Sequence, residues 1–310
     1  MKNSILTFLT CLLFSSTAIS ADEFAGSFLS TGAQVQAVSI GRSFTATASG
    51  TMAPYRNPAG LVQIKGRGAH AILNSASLGR RSHNLSAFLN LRGDVGFGFS
   101  WIHAQVHDII GRSGSGQLTG KIEDGSNAFT FSFAFKIGTA LKAGLSMKNI
   151  NHRISGPFHS KGEASGHGFD FGLQYSLNEK GSFGMTVQNI NSGLNWKVKR
   201  GDKTRNTRDS IKSRISLGGA YSPIEAVNLG CDLIIEHDKV ADIGASWKIN
   251  QFLSISLGLR DVGGTQKLGS LSNGLSLSPM RNKNIILHYA YVTDPLGAGE
   301  QTIIGLESNF

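Results

Sequence analysis

Phe129-Thr130-Phe131-Ser132-Phe133-Ala134-Phe135 sets a phenylalanine at every second position with only small residues between. In a pleated strand successive side chains leave by opposite faces, so this stretch presents one aromatic face and one small face. The same rhythm returns on either side. Val95, Phe97, Phe99 and Trp101 alternate with Gly96, Gly98 and Ser100, and Phe169, Phe171, Leu173, Tyr175 and Leu177 with Asp170, Gly172, Gln174 and Ser176. Further on, Leu229, Cys231 and Leu233 oppose Asn228, Gly230 and Asp232, and Leu253, Ile255, Leu257 and Leu259 oppose Ser254, Ser256, Gly258 and Arg260. A soluble sandwich also carries such alternation.

The connections decide between the two. About fourteen segments follow one another, near residues 68–78, 83–92, 95–107, 126–136, 139–151, 166–177, 182–193, 211–221, 226–236, 240–249, 252–262, 268–278, 284–292 and 300–310. Every even-to-odd connection is short: Gly93-Asp94, Ile137-Gly138, 178–181, 222–225, Asn250-Gln251 and 279–283. The long ones, 108–125, 152–165 and 194–210, all fall on the odd-to-even side. A sandwich imposes no such parity. An outer-membrane barrel has short periplasmic turns, longer external loops and an even strand count that returns both ends to the periplasm. The sequence therefore predicts an all-β fold, a transmembrane antiparallel β-barrel of about 14 strands over residues 67–310.

Composition agrees. Of 310 residues, 39 are Gly and 18 are Phe, and 16% are charged against roughly 25% in soluble domains. Helices are poorly served by such a chain, and beyond the N-terminus no run of eighteen apolar residues offers a transmembrane helix. The first residues hold Lys2, an apolar run from Ile5 to Phe14, and small residues at Ser16, Ala18, Ser20 and Ala21. That is the pattern of a secretory signal peptide over 1–21, cleaved after Ser20 or Ala21. About ten apolar residues are too few for a spanning anchor, which needs about twenty. Cys11 sits midway through the apolar run rather than behind it, against lipidation, and Cys231 is then alone, so no internal disulfide forms. Lys2 is the only charged residue before Asp22, so one of the 30 cations goes with the leader and 29 face 20 anions. Secretion argues against nucleic acid as the partner of that charge and leaves anionic lipid headgroups or acidic surface polymers.

Residues 22–66 are rich in Gly, Ser, Thr and Ala and contain Asn57-Pro58-Ala59-Gly60-Leu61. Asn57 suits a helix N-cap and Pro58 the first helical position, which predicts one short helical turn that Gly60 limits. The stretch from Gly32 to Gly41, with Ala53-Pro54-Tyr55-Arg56 and the Asn57-to-Leu61 string, resembles the N-terminal region of PorV/PorQ-like outer-membrane barrels and, more distantly, of FadL fatty-acid transporters. Leu287-His288-Tyr289-Ala290-Tyr291, Leu296-Gly297 and the final Phe310 resemble the PorV/PorQ pattern at the other end. The resemblance implies a fourteen-stranded barrel with 22–66 folded into the lumen as a plug or hatch. Phe310 shares the outward parity of Ile304 and Leu306, as signals for the barrel-assembly machinery do, although Ser308 departs from the apolar residue usual there.

Catalytic chemistry finds no constellation. The nine histidines are scattered, with no carboxylate or hydroxyl partner at triad spacing. His103 and His107 would share a metal on a helix, but on a strand they stand about 13 Å apart. Arg92-Gly93-Asp94 falls at a periplasmic turn, where Gly-Asp is ordinary turn chemistry. No cofactor is implied. By parity Asp170, Lys212, Arg214, Asp232, Glu236, Lys248 and Arg260 face the lumen, as paired charges tying strands to plug or as a polar path beside it. The segment 194–210 carries Lys197, Lys199, Arg200, Lys203, Arg205 and Arg208 against Asp202 and Asp209. As an external loop it either binds lipopolysaccharide or another surface polyanion, or is simply solvated.

Two functions stay open. FadL resemblance implies a gated conduit for small hydrophobic or amphiphilic molecules. PorV resemblance implies a component of type IX secretion that binds exported proteins. An outer-membrane enzyme ranks below both.

Overall fold

The computed structural model describes residues 25–31, 34–91, 94–157, 160–264, 269–279, 284–293 and 299–310; the leader expected over 1–21, Arg92-Gly93 and Leu296-Gly297 lie outside them. Sixteen strands follow a largely helical-turn N-terminal segment. They are β1 (Gly66–Ala76), β2 (Arg80–Leu91), β3 (Val95–Arg112), β4 (Leu118–Ile137), β5 (Leu141–Gly156), β6 (Ser160–Ser176), β7 (Gly181–Ile190), β8 (Gly193–Arg200) and β9 (Lys203–Ser210). The second half adds β10 (Arg214–Ile224), β11 (Val227–Ile235), β12 (Lys239–Lys248), β13 (Leu253–Val262), β14 (Ser270–Leu277), β15 (Ile285–Thr293) and β16 (Glu300–Asn309).

Fourteen of these close into an antiparallel ring. β1 to β7 follow in order, β10 joins β7, and β10 to β16 complete the circuit. β16 pairs with β1 from Asn309↔Gly68 to Gln301↔Ala76, so the ring has no free edge. Closure also satisfies the backbone groups that hydrocarbon cannot hydrogen-bond. At the seam Phe310 N donates to Arg67 O at 2.9 Å, and the Arg67 guanidinium lies 5.2 Å from the centre of the Phe310 ring. Among the described residues no helix is long and apolar enough to cross a membrane.

Alternation sorts the wall into two surfaces. Phe131 is 59% exposed while neighbouring Thr130 is 2% exposed, so the aromatic face of β4 looks out of the barrel. Phe133, Leu145, Leu257 and Ile304 continue that apolar band. Cross-strand rings interlock on it: Phe97 with Phe133 at 5.4 Å and Phe99 with Phe131 at 5.3 Å between centroids. Such pairs fix the register of β3 on β4, since a one-residue slip would turn every ring inward.

The two rims differ, and the loops expected there need correction. At the near rim, where the chain enters β1 and leaves β16, the connections are tight. At the far rim the expected loops 108–125 and 152–165 are largely strand: β3 and β4 pair out to Arg112↔Leu118, and β5 and β6 out to Gly156↔Ser160. The expected loop 194–210 is the hairpin of β8 and β9, stacked on the far end of β6 from Ser165↔Asn195 to Lys161↔Lys199. On β8 Leu194, Trp196 and Val198 do alternate with Asn195, Lys197 and Lys199, but β9 is polar throughout and gives no second alternating segment to pair with it.

Candidate functional site

The interior is occupied by the N-terminal segment. Short turns at Phe28–Thr31, Val35–Ser39, Gly50–Met52, Ala53–Arg56 and Pro58–Val62 are almost wholly buried, yet none is long enough to be a stable helix alone. The wall holds them in place. Moving round the ring, Gly274 meets Ser39, Gly258 and Gly244 meet Ile40, Gly230 meets Ser43, Gly218 and Gly184 meet Thr45, Gly172 meets Asn57, Gly144 meets Pro58, and Gly96 meets Leu61. The segment thus coils once around the inner wall on a girdle of glycines. A Cβ at Gly244 would fall 2.0 Å from the Ile40 carbonyl oxygen, so any larger residue there displaces the coil.

Hydrogen bonds run from wall side chains to the coil's carbonyls. Gln174 Nε2 donates to Ala48 O at 2.9 Å, Gln188 Nε2 to Tyr55 O at 2.8 Å, and Asn90 Nδ2 to Ile64 O at 2.7 Å. Asn57 works in reverse: its Nδ2 reaches Thr45 O at 2.9 Å and the wall carbonyl of Leu173 at 3.0 Å, while its Oδ1 accepts from Ala59 N at 3.1 Å. Pro58 starts the 3-10 turn Pro58–Val62, and Ala59 and Leu61 are fully buried. Gly60 is required by proximity, since a Cβ on it would fall 1.9 Å from Ala48 O.

Charge is concentrated where the coil meets β10 to β13. Asp232 accepts from Phe44 N at 3.0 Å, Thr45 N at 2.9 Å and Thr45 Oγ1 at 2.6 Å, with Arg56 at 3.8 Å. Arg42 reaches Asp242 at 3.2 Å and also Asp261. Arg260 lies within electrostatic reach of Arg42, Asp242 and Asp261. Arg214 pairs with Glu236 at 2.9 Å, and on β5 and β6 Lys148 pairs with Asp170 at 2.9 Å. Buried ions are tolerated where an opposite partner and further hydrogen bonds satisfy them, as for Asp232.

Two of the seven charges expected on the lumen wall are elsewhere. Lys212 lies in the connector before β10, where its Nζ donates to His237 Nδ1 at 2.9 Å, and Lys248 is exposed at the near-rim end of β12. Lys212 precedes the first paired residue of β10, where parity fixes no face, and Lys248 is the last residue of β12, paired with Ser254 at the rim, where the wall meets solvent. Conversely Arg42, Arg56, Lys148, Asp242 and Asp261 were missed. Lys148 and Asp242 carry the inward parity and were legible. Asp261 carries the outward parity: a β-bulge between Ala241 and Ile243 in the β12–β13 register, with Asp261 at φ 57°, re-aims it at Arg42. Asn189 is turned inward likewise, at φ 59° beside a bulge in the β6–β7 register, and accepts from Lys148 Nζ at 2.8 Å.

The outer half of the lumen is different in kind. Ile102, Ala128, Ile150, Ala164, Leu194 and Ile211 line it, and Phe28, Leu29 and Tyr55 fill it from the coil. Tyr55 OH donates to Leu29 O, which ties the first turn to the rest of the segment. Beside this cluster lies a cavity of about 160 Å³, bordered by Ala25, Leu29, Ile211, Lys148, Arg214 and Glu236. His103 lies in the regular part of β3 and His107 within its bulge, between Val106 and Ile109, and His103 stacks on Trp101 at 6.1 Å.

The closed fourteen-stranded barrel is shared by known channels. The CymD monoaromatic hydrocarbon channel aligns over 90% of this chain and 98% of its own, with a TM-score of 0.63 and 13% identity. The Pseudomonas putida toluene transporter TodX aligns over 87% and 96% (TM-score 0.58, 13% identity), and a Pseudomonas aeruginosa FadL homologue over 87% and 96% (TM-score 0.60, 10% identity). The fold is FadL-like. Identities this low establish the architecture of the FadL-like barrel and no more. No protein-family model matches the sequence, and no curated protein does. The FadL part of the resemblance read from the sequence is thereby supported, while the PorV/PorQ part keeps only its terminal motifs.

Proposed function

We propose that this FadL-like barrel is an outer-membrane conduit for small hydrophobic or amphiphilic molecules, with the near rim in the periplasm and the far rim outside. One observation carries the cargo class: the outer lumen is walled by Ile102, Ile150, Leu194 and Ile211 and, among the described residues, is filled by Tyr55 and by Phe28 and Leu29 of the single turn Phe28–Thr31. An apolar molecule replaces the contacts of Phe28 and Leu29 at the loss of one side-chain hydrogen bond, that of Tyr55 OH, whereas an ion or sugar entering there loses its water. The polar coil from Val35 to Val62 forms the second, tighter barrier. The solved structures it resembles are channels rather than enzymes.

The test is uptake of a monoaromatic hydrocarbon and of a long-chain fatty acid into cells or vesicles carrying the full protein. Wild-type protein raises uptake of at least one above the protein-free rate, and Ile150→Asn lowers it several-fold while the barrel still assembles. Uptake equal to that of protein-free vesicles for both probes sinks the proposal. The type IX secretion alternative predicts instead that the protein retains exported proteins bearing C-terminal signals and leaves hydrocarbon uptake unchanged.

A further inference from the structure

The far rim is uneven, and its tall side carries a graded surface on the outer face of the wall. Residues paired directly across antiparallel strands share a face, so rows can be read from the register. The uppermost apolar row is Phe99, Phe131, Met147 and Phe169; the next is Trp101, Phe129, Asn149 and His167. Above it run Asn127, Asn151, Ser165, Asn195 and Arg208, then Arg153, Glu163 and Lys197, then Glu123, Ser155, Lys161 and Lys199. The outer face thus passes from aromatic to amide and hydroxyl to cationic within a few residues.

Only part of the basic hairpin contributes. Lys197, Lys199 and Arg208 share the outer face, whereas Lys203 and Arg205 pair with the opposite parity, on the side of Val198 and Trp196. Arg153 and Lys161 join the outer set from β5 and β6, and both lean on Glu163, at 3.8 Å and 2.6 Å. Among the described residues Lys197, Lys199 and Arg208 form no ion pair, so this face keeps uncompensated positive charge directly above the apolar band.

Height selects the partner. Two residues along a strand tilted by about 40° gain roughly 5 Å of height. Measured along its own strand, Arg153 then stands about 10 Å above Asn149 and Lys161 about 15 Å above His167, and Lys199, which pairs with Lys161 from the next strand, lies within about 3 Å of the height of Lys161. The headgroup layer of an ordinary phospholipid leaflet is only about 5–8 Å deep, and Arg153, Lys161 and Lys199 all stand above it. A lipid with a tall, phosphorylated sugar headgroup meets all three levels: amides and hydroxyls at the height of its first sugars, cations at the height of its phosphates.

We infer that the outer face of β5, β6, β8 and β9 is a binding site for the phosphorylated headgroup of lipopolysaccharide in the surrounding outer leaflet. The inference uses the orientation given above and is independent of what the lumen carries. The test compares the full-length protein with two double variants of equal charge change, Lys197→Gln/Lys199→Gln on the outer face and Lys203→Gln/Arg205→Gln on the other. Binding is measured to lipopolysaccharide, to dephosphorylated lipopolysaccharide and to phosphatidylglycerol nanodiscs, at low and high salt. The expected result is at least about a fivefold loss for the outer pair with a weaker salt dependence, little change for the inner pair, and weak binding of the dephosphorylated lipid. Equal losses from both pairs reduce the effect to net charge and overturn the site. Equal binding to phosphatidylglycerol overturns the choice of a glycolipid, and unchanged affinity overturns both. Retained heat-modifiable gel mobility and hydrocarbon uptake in the same variants separate this outcome from misfolding and from failure of the conduit.

Discussion

Gly244 on β12 and Gly219 on β10 lie two strands apart, one facing the coil and the other the lipid, and they test the wall at single-residue resolution. A Cβ at Gly244 would meet Ile40 O at 2.0 Å, whereas one at Gly219 meets nothing nearer than the Phe183 ring at 3.8 Å. Gly244→Val is expected to release the coil, read as new protease cleavage within residues 34–64 of an assembled barrel, and Gly219→Val to leave it protected. Equal sensitivity in the two variants would remove the girdle argument. Asp232 offers a second test, since it satisfies two backbone amides, one hydroxyl and Arg56 at once. Asp232→Asn leaves Arg56 buried without its partner, a change that costs roughly 3–5 kcal/mol in comparable sites. On the outer surface, Phe133→Arg is expected to cost about 2–4 kcal/mol in urea unfolding from vesicles, because Phe133 sits within the apolar band. Full tolerance of arginine there would reverse the assignment of faces.

At the level of elements, β8 and β9 stand apart from the other strands because they pair only with each other and with the far end of β6. The ring closes without them through β7 and β10, from Gly181↔Tyr221 to Gln188↔Arg214. Gly193 and Ser210 are partners across the hairpin base, so a two-residue turn can replace 194–209. The shortened chain is expected to form the same barrel, judged by strand content and heat-modifiable mobility. It also loses Leu194 and Trp196 from the outer lumen, so hydrocarbon should enter faster. Failure to assemble would show that the hairpin is needed to close the ring. The bulges at Asp261 and Asn189 act at this scale too. Each inserts a residue into one strand, so a side chain of outward parity swings into the lumen and meets a charge there.

For the whole molecule, the lumen is divided between an apolar outer half and a polar, hydrogen-bonded coil beneath it. A barrel of this strand number lies between those that side chains fill and those that hold an open water channel. The coil is what occupies the difference. Removing residues 22–65 is expected to raise single-channel conductance in planar bilayers. An assembled barrel with wild-type conductance would mean that the coil does not obstruct the pore.

The sequence by itself determined the barrel: the strict alternation around Phe129 to Phe135, the fourteen segments and the parity of their connections are local properties of the chain, and a closed sheet facing hydrocarbon is what they require. It also marked Asn57-Pro58 as a turn start, since capping acts within three residues. Tertiary structure alone decided the rest. Whether 194–210 is loop or hairpin depends on pairing with β6, thirty residues and more upstream; the short alternation of Leu194, Trp196 and Val198 stops at Arg200, and the polar run 203–210 carries none to announce a partner strand. Asp261 and Arg42 are 219 positions apart, and they meet only because a bulge breaks the two-residue period that inward and outward faces are read from. The abundance of glycine was visible from composition, but its purpose was not. A glycine leaves space without stating what fills it, and only the folded chain shows the coil lying against it.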